Sequence, residues 1–92
     1  MAASAFKLDI LTPTGRFFSG DVVSLIVPAI NGSLGVLADH APLVACLKKG
    51  DISVTDPSGK VTTYTSTGSG FMEVVRNKAV LVADSIIKNV KA

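Results

Sequence analysis

Phe71-Met72-Glu73-Val74-Val75-Arg76-Asn77-Lys78-Ala79-Val80-Leu81-Val82-Ala83 decides the fold. Two runs of mostly apolar, β-favouring residues flank the short polar break Arg76-Asn77-Lys78. That pattern reads as an antiparallel hairpin turning around Asn77. Upstream, Val61, Thr63 and Thr65 alternate with Thr62 and Tyr64, which suits a pleated surface. Ile52 and Val54 alternate with Asp51, Ser53 and Thr55. At the amino end Phe6, Leu8 and Ile10 alternate with Lys7 and Asp9, placing one apolar face on one side of a strand. Val22 to Val27 is apolar on both faces apart from Ser24, which predicts a strand covered on both sides.

Turn signals separate these runs. Thr12-Pro13-Thr14-Gly15, Asn31-Gly32, Lys49-Gly50-Asp51 and Asp56-Pro57-Ser58-Gly59 each put Pro, Asn, Asp or Gly where a turn needs a fixed or a left-handed backbone. No stretch between them is long enough for an ordinary amphipathic helix. Many short strands with regular turns predict an all-β sandwich or barrel. The 92 residues make one domain, residues 1–92, with its core in 6–85 and a tail in 86–92. From Ser85 to Ala92 the sequence fits a strand or one helical turn equally.

The chain is 48% hydrophobic and only 17% charged, so it is expected to be folded and to hide surface against a partner. Its longest apolar run, Leu25–Ile30, is interrupted by Pro28 and is far shorter than the roughly 20 residues of a membrane span. Met1-Ala2-Ala3-Ser4 lacks a basic segment followed by an apolar core, so no secretory signal is expected. Nine basic and seven acidic residues leave a net charge of +2, scattered except for Lys48-Lys49 and the tail lysines Lys88 and Lys91. That field is too weak to imply a nucleic acid partner.

Chemistry-bearing residues are sparse. Cys46, the one cysteine, sits in the apolar run Leu43–Leu47 and is expected to be a small buried hydrophobe. His40, the one histidine, follows Asp39. Neighbours in an extended chain point apart, and a Cys–His pair needs a third group to orient the base, so His40 reads as a turn histidine bonded to backbone. One His, one Cys and dispersed carboxylates do not make a metal site. Gly32-Ser33-Leu34-Gly35 has the spacing of an RNA-clamping loop without its basic flanks. This cluster and Gly68-Ser69-Gly70 read instead as tight bends or close backbone approaches. Phe6, Phe17, Phe18, Tyr64 and Phe71 are spread out and read as core. No catalytic residue, metal or cofactor is expected.

From Leu25 to Val44 the sequence runs Leu25-Ile26-Val27-Pro28-Ala29-Ile30-Asn31-Gly32-Ser33-Leu34-Gly35-Val36-Leu37-Ala38-Asp39-His40-Ala41-Pro42-Leu43-Val44. This resembles the epsilon subunit of bacterial and chloroplast ATP synthase, the counterpart of the mitochondrial delta subunit. In that family a strand ends in a Val-Pro step, and an acidic, glycine-containing turn follows. A short strand then leads into a His-Ala-Pro-Leu segment. Leu8–Pro13 with Phe18-Ser19-Gly20 is similar to the family's opening hairpin. Gly70–Val74 with Asn77–Asp84 is similar to its closing one. Each piece alone is weak; the ordered set, over roughly residues 6–85, is specific.

The resemblance implies a ten-stranded β-sandwich of two sheets, and a central-stalk subunit without chemistry of its own. Its partners would be the gamma subunit and the c ring, between which it helps couple ion flow to ATP synthesis. It would lie peripherally on the cytoplasmic face of the inner or plasma membrane, or at the thylakoid or mitochondrial equivalent. The resemblance assigns Asn31, Gly32, Ser33, Asp39 and His40 to the c ring, and Thr12, His40, Leu43, Val44 and Ala45 to gamma. Asn31 and Ser33 stand where the family has acidic residues, which weakens a charge-based contact there. Many members carry a carboxyl-terminal pair of helices that restrains ATP hydrolysis and in some binds ATP; this chain is expected to lack both. The competing reading is a small β-barrel that binds nucleic acid or saccharide, and a further one is a small cysteine enzyme using Cys46 and His40.

Overall fold

The structure is a computed structural model that describes residues 4–88. Ten strands follow one another: β1 (Phe6–Thr12), β2 (Gly15–Val22), β3 (Ser24–Ala29), β4 (Gly32–Val36), β5 (Leu43–Leu47), β6 (Gly50–Thr55), β7 (Val61–Ser66), β8 (Gly70–Val75), β9 (Lys78–Ala83) and β10 (Ile86–Lys88). The described residues contain no helix. All ten strands join in one sheet, ordered β10-β7-β6-β3-β5-β8-β9-β1-β2, with β4 paired to the other side of β3. Every pairing is antiparallel except β1 with β9.

The expected two sheets are the two halves of this one. β10, β7, β6, β3 and β4 form one layer; β5, β8, β9, β1 and β2 form the other. Among the described residues the strand ladder joins them where Ala29 of β3 pairs with Leu47 of β5, a corner at which the chain switches layers. Across the opposite side the sheet nearly closes. Phe17 on β2 meets Tyr64 on β7 edge-on, with ring centroids 5.4 Å apart.

Period-2 alternation fills the space between the layers. Phe6, Leu8 and Ile10, Ile52 and Val54, Met72 and Val74, and Ala79, Leu81 and Ala83 are all buried, with their outward neighbours at least partly exposed. Ile86 is buried beside them, because β10 pairs with β7 through Ile86↔Ser66. The sheet therefore continues past Ser85, where sequence left strand and helical turn open; residues 89–92 lie outside the described residues.

Three expectations change. Val22–Val27 is not one doubly covered strand: β2 ends at Val22, β3 starts at Ser24, and Ile26 is 45% exposed. The run straddles a corner, held where the Val23 N–H donates to Thr55 O at 2.8 Å. Cys46 is exposed. In Leu43–Leu47 the inward parity belongs to Leu43, Ala45 and Leu47, and an all-apolar run hides which parity faces in. Among the aromatics, Phe6 and Tyr64 are core and Phe18 packs against it, whereas Phe17 and Phe71 are exposed.

The β8–β9 hairpin turns as its sequence demands. Val75 pairs with Lys78, and the two residues between them, Arg76 and Asn77, have φ of 52° and 60°, the left-handed pair of a type I′ turn. Asn77 also holds distant chain together. Its Nδ2 donates to Ala5 O at 3.0 Å, its Oδ1 accepts from the Asp39 N–H at 2.8 Å, and its carbonyl accepts from the Lys7 N–H at 3.2 Å. Gly70 opens β8 where the backbone of β9 passes so close that a Cβ would overlap the Val82 carbonyl oxygen and touch Ala83 Cα. Gly70→Ala is therefore expected to destabilise the fold by about 1–3 kcal/mol, the usual cost of overpacking, read as a lowered midpoint in urea unfolding. An unchanged midpoint would mean that the backbones separate freely.

Two carboxylates are held below their ordinary value of 3.8. At Asp9 the chief cause is the Ser19 hydroxyl, which donates to Oδ1 at 2.6 Å, aided by Lys78. At Asp56 it is the Ser58 hydroxyl at 2.6 Å, with the Lys60 and Ser58 N–H groups at 3.0 and 2.9 Å, which cap the β6–β7 turn. A depressed folded pKa stabilises above the unfolded value and is lost as pH falls through the folded one. Stability should therefore decline below about pH 4, and Asp9→Asn with Asp56→Asn should flatten that decline in thermal melts between pH 5 and 2.

Candidate functional site

The two layers differ on their outer faces. On the β3–β6–β7–β10 face the outward residues are mostly Ser, Thr and Asp. Its apolar members Ile26, Pro28, Val61 and Ile87 each lie opposite a hydroxyl residue, in the pairs Ile26↔Ser53, Pro28↔Ser33, Val61↔Thr55 and Ile87↔Thr65. On the other layer one cross-strand row is apolar over four strands: Cys46 pairs with Phe71, Phe71 with Val82, and Val82 with Leu11; it ends in a charge on β2, where Arg16 pairs with Leu11. In the next row Val44 and Val80 flank Glu73. Val44 is 71% exposed and Phe71 48%. The far part of the same face is charged, with Lys78 Nζ 3.4 Å from Asp9 and Lys7 Nζ 3.6 Å from Asp21. The face thus grades from an apolar stripe into paired charges, the make-up of a protein-binding surface with a polar rim.

The stripe leads into an open groove of about 380 Å³ between the β3–β4 turn and β5, lined by Ala29–Leu34 and Leu43–Cys46. Six residues assigned from the resemblance meet there: Asn31, Gly32 and Ser33 on one wall, Leu43, Val44 and Ala45 on the other. Gly32 has φ +126°, so the Ile30-Asn31 turn closes as it does only with glycine at that position. Leu43 and Ala45 pack partly against the core while Val44 points out.

The remaining assigned residues lie elsewhere. Asp39 and His40 follow β4, at the opposite end of that strand from Asn31–Ser33, and Asp39 is tied to Asn77. His40 Nδ1 donates to Ala41 O at 2.7 Å, the backbone bond expected of a turn histidine. Thr12 sits three strands from β5, about 14 Å at ordinary strand spacing. Its hydroxyl is 3.0 Å from that of Thr14 and donates to Gly15 O at 3.3 Å. It lines a second cavity, of about 330 Å³, with Phe17, Asp84 and Ile86. Leu11, Cys46, Phe71 and Val82 were missed as surface residues. The signal was there for β9, since Ala79–Ala83 is apolar on both parities and so needs cover on its outer side.

The sequence matches the family described as ATP synthase, delta/epsilon chain, beta-sandwich domain, over residues 5–89. The chain is 44% identical over 88 residues to the ATP synthase epsilon chain of Chlorobaculum tepidum, covering 94% of this chain and 99% of that one. It is 42% identical over 88 residues to the epsilon chain of Chlorobium limicola, with the same coverage. Among solved structures, a chain of the Euglena gracilis mitochondrial ATP synthase, from an OSCP/F1/c-ring assembly, superposes with a TM-score of 0.87 at 20% identity. That match covers 96% of this chain and 56% of the other, and at such identity it speaks for the fold.

An outward Cys46 has a direct consequence. A thiol reagent is expected to label it in the native protein without denaturant. Labelling that waits for denaturant would put Cys46 back inside.

Proposed function

The chain belongs to the ATP synthase delta/epsilon chain family, and on that premise we propose that it is a non-catalytic coupling subunit of the central stalk. In this reading the stripe of Leu11, Val82, Phe71, Cys46 and Val44 docks on the gamma subunit. The turn at Ile30–Ser33 faces the c ring. The chain works from the membrane-associated F1 part of the synthase, on the side where ATP is made.

The observation that carries the proposal is the asymmetry of the two outer faces. A layered sheet with one hydroxyl-rich face and one apolar stripe has a definite side for a partner. Burying a side chain such as Phe71 or Val44 in an interface contributes on the order of 1.5–3 kcal/mol, so a few adjacent ones supply most of an affinity. The paired charges Lys78–Asp9 and Lys7–Asp21 at the rim add register more than strength. Rigidity suits transmission of torque: the interior is close-packed, and the layers are tied at one side by the Ala29↔Leu47 corner and held at the other by Phe17 on Tyr64.

Binding to the isolated gamma subunit, followed by calorimetry, tests the assignment of the stripe. Phe71→Glu and Val44→Glu are each expected to weaken binding by about tenfold or more, as burial of a charge requires, and Val61→Glu on the opposite face to leave it unchanged. Cys46 should become protected from thiol labelling in the complex. Equal losses from Val61→Glu, or an unprotected Cys46, would remove the stripe as the docking face.

A further inference from the structure

Two turns lie side by side at the layer-switching corner. Ile30-Asn31 joins β3 to β4, and Lys48-Lys49 joins β5 to β6. They are locked together by backbone. The Ile30 N–H donates to Cys46 O at 3.0 Å, the Lys48 N–H donates to Pro28 O at 2.9 Å, and Ala29 pairs with Leu47 between them. Gly50 permits the approach: a Cβ on it would stand 2.9 Å from Pro28 Cβ and 3.2 Å from Pro28 Cγ. The result is one stiff tip, not two independent loops.

Its chemistry is one-sided. Ile30 is 60% exposed, Asn31 beside it is polar and uncharged, and Lys48 and Lys49 are both exposed. No carboxylate occurs from Pro28 to Gly50 except Asp39, which lies beyond the far end of β4 on Asn77. Among the described residues the ion pairs are Lys7–Asp21 and Lys78–Asp9, and neither involves the tip. Asp51, the next acid along the chain, accepts the Thr65 hydroxyl at 3.0 Å.

We propose that the Ile30-Asn31 and Lys48-Lys49 turns form a single recognition tip for a carboxylate-bearing loop of the ring subunits. The proposal rests on the reading of this end as the one that faces the ring, and it adds the chemistry of the loop received. Two adjacent lysines on a turn whose backbone is locked beside an apolar knob gain most from an acidic group with an apolar neighbour. Two lysines are too few to hold a membrane surface, which takes a cluster of roughly four to eight cations. The adjoining groove offers room for the side chains of a discrete loop.

The test uses the complete chain and a detergent-solubilised gamma–c-ring subcomplex, with affinity measured from 20 to 300 mM salt. Lys48→Glu with Lys49→Glu is expected to weaken binding about tenfold or more at low salt and to flatten the salt dependence, since exposed charges act over a Debye length of about 10 Å near 0.1 M. Lys48→Arg with Lys49→Arg should bind as the native chain does. Native affinity and salt slope in the Glu pair would overturn the proposal. Ile30→Asp separates the two levels. Loss of ring binding in Ile30→Asp with none in the Glu pair keeps the ring-facing end and discards the acidic loop. No effect of either discards the ring-facing assignment itself. Flotation of the chain alone with vesicles containing 30% anionic phospholipid would also overturn it, by making lipid the ligand; absence of flotation is the expected result.

Discussion

One core serves ten strands, and the requirement that each give one parity to it governs this molecule. Seventeen apolar side chains among the described residues converge between the layers. The single buried polar residue among the described residues, Ser66, is satisfied by donating to Gly68 O at 3.0 Å. Once the inward parity is taken, the outward one is free to carry other information. On one layer it carries hydroxyls, and on the other it carries a stripe that water tolerates poorly. The surface and the interior are thus two readings of the same strands, and neither can be altered by a one-residue slip without inverting the other.

The corner at Ala29 and Leu47 converts that pattern into a shape. A flat sheet of ten strands would leave its apolar face open; folding it at one narrow junction makes the face bury itself. The same junction brings the end of β3 and the start of β6 next to each other. Two turns that lie seventeen residues apart in sequence, at Asn31 and Lys48, therefore become neighbours. The shared tip at that end of the molecule is a by-product of how the core is closed.

This explains what could be read in the sequence. Phe6-Lys7-Leu8-Asp9-Ile10 announces its strand and its buried face, because polar and apolar residues alternate strictly. The turns at Thr12–Gly15, Asp56–Gly59 and Arg76-Asn77 are equally plain, since Pro, Gly, Asn and Asp have local reasons to be there. The ordered set of segments also carried the family. Cys46 and Ile26 were misplaced because each lies in a run without polar residues to mark the phase. Asp39 and His40 stand apart from Asn31 because the residues between them run through β4 instead of closing a loop. The adjacency of Lys48-Lys49 to Ile30-Asn31 has no local signature at all; it exists only through pairing of β3 with β5.

The parallel pairing of β1 with β9 bears on how the molecule is born. β1 finds β2 at once, but its other edge has no neighbour until residues 78–82 have been made. The hairpins can form as they emerge, whereas the sandwich must wait for β9. Its assembly is thereby a late, all-at-once event of the slow kind that distant pairings impose, and until then the nascent chain exposes an unsatisfied edge that chaperones are suited to shield.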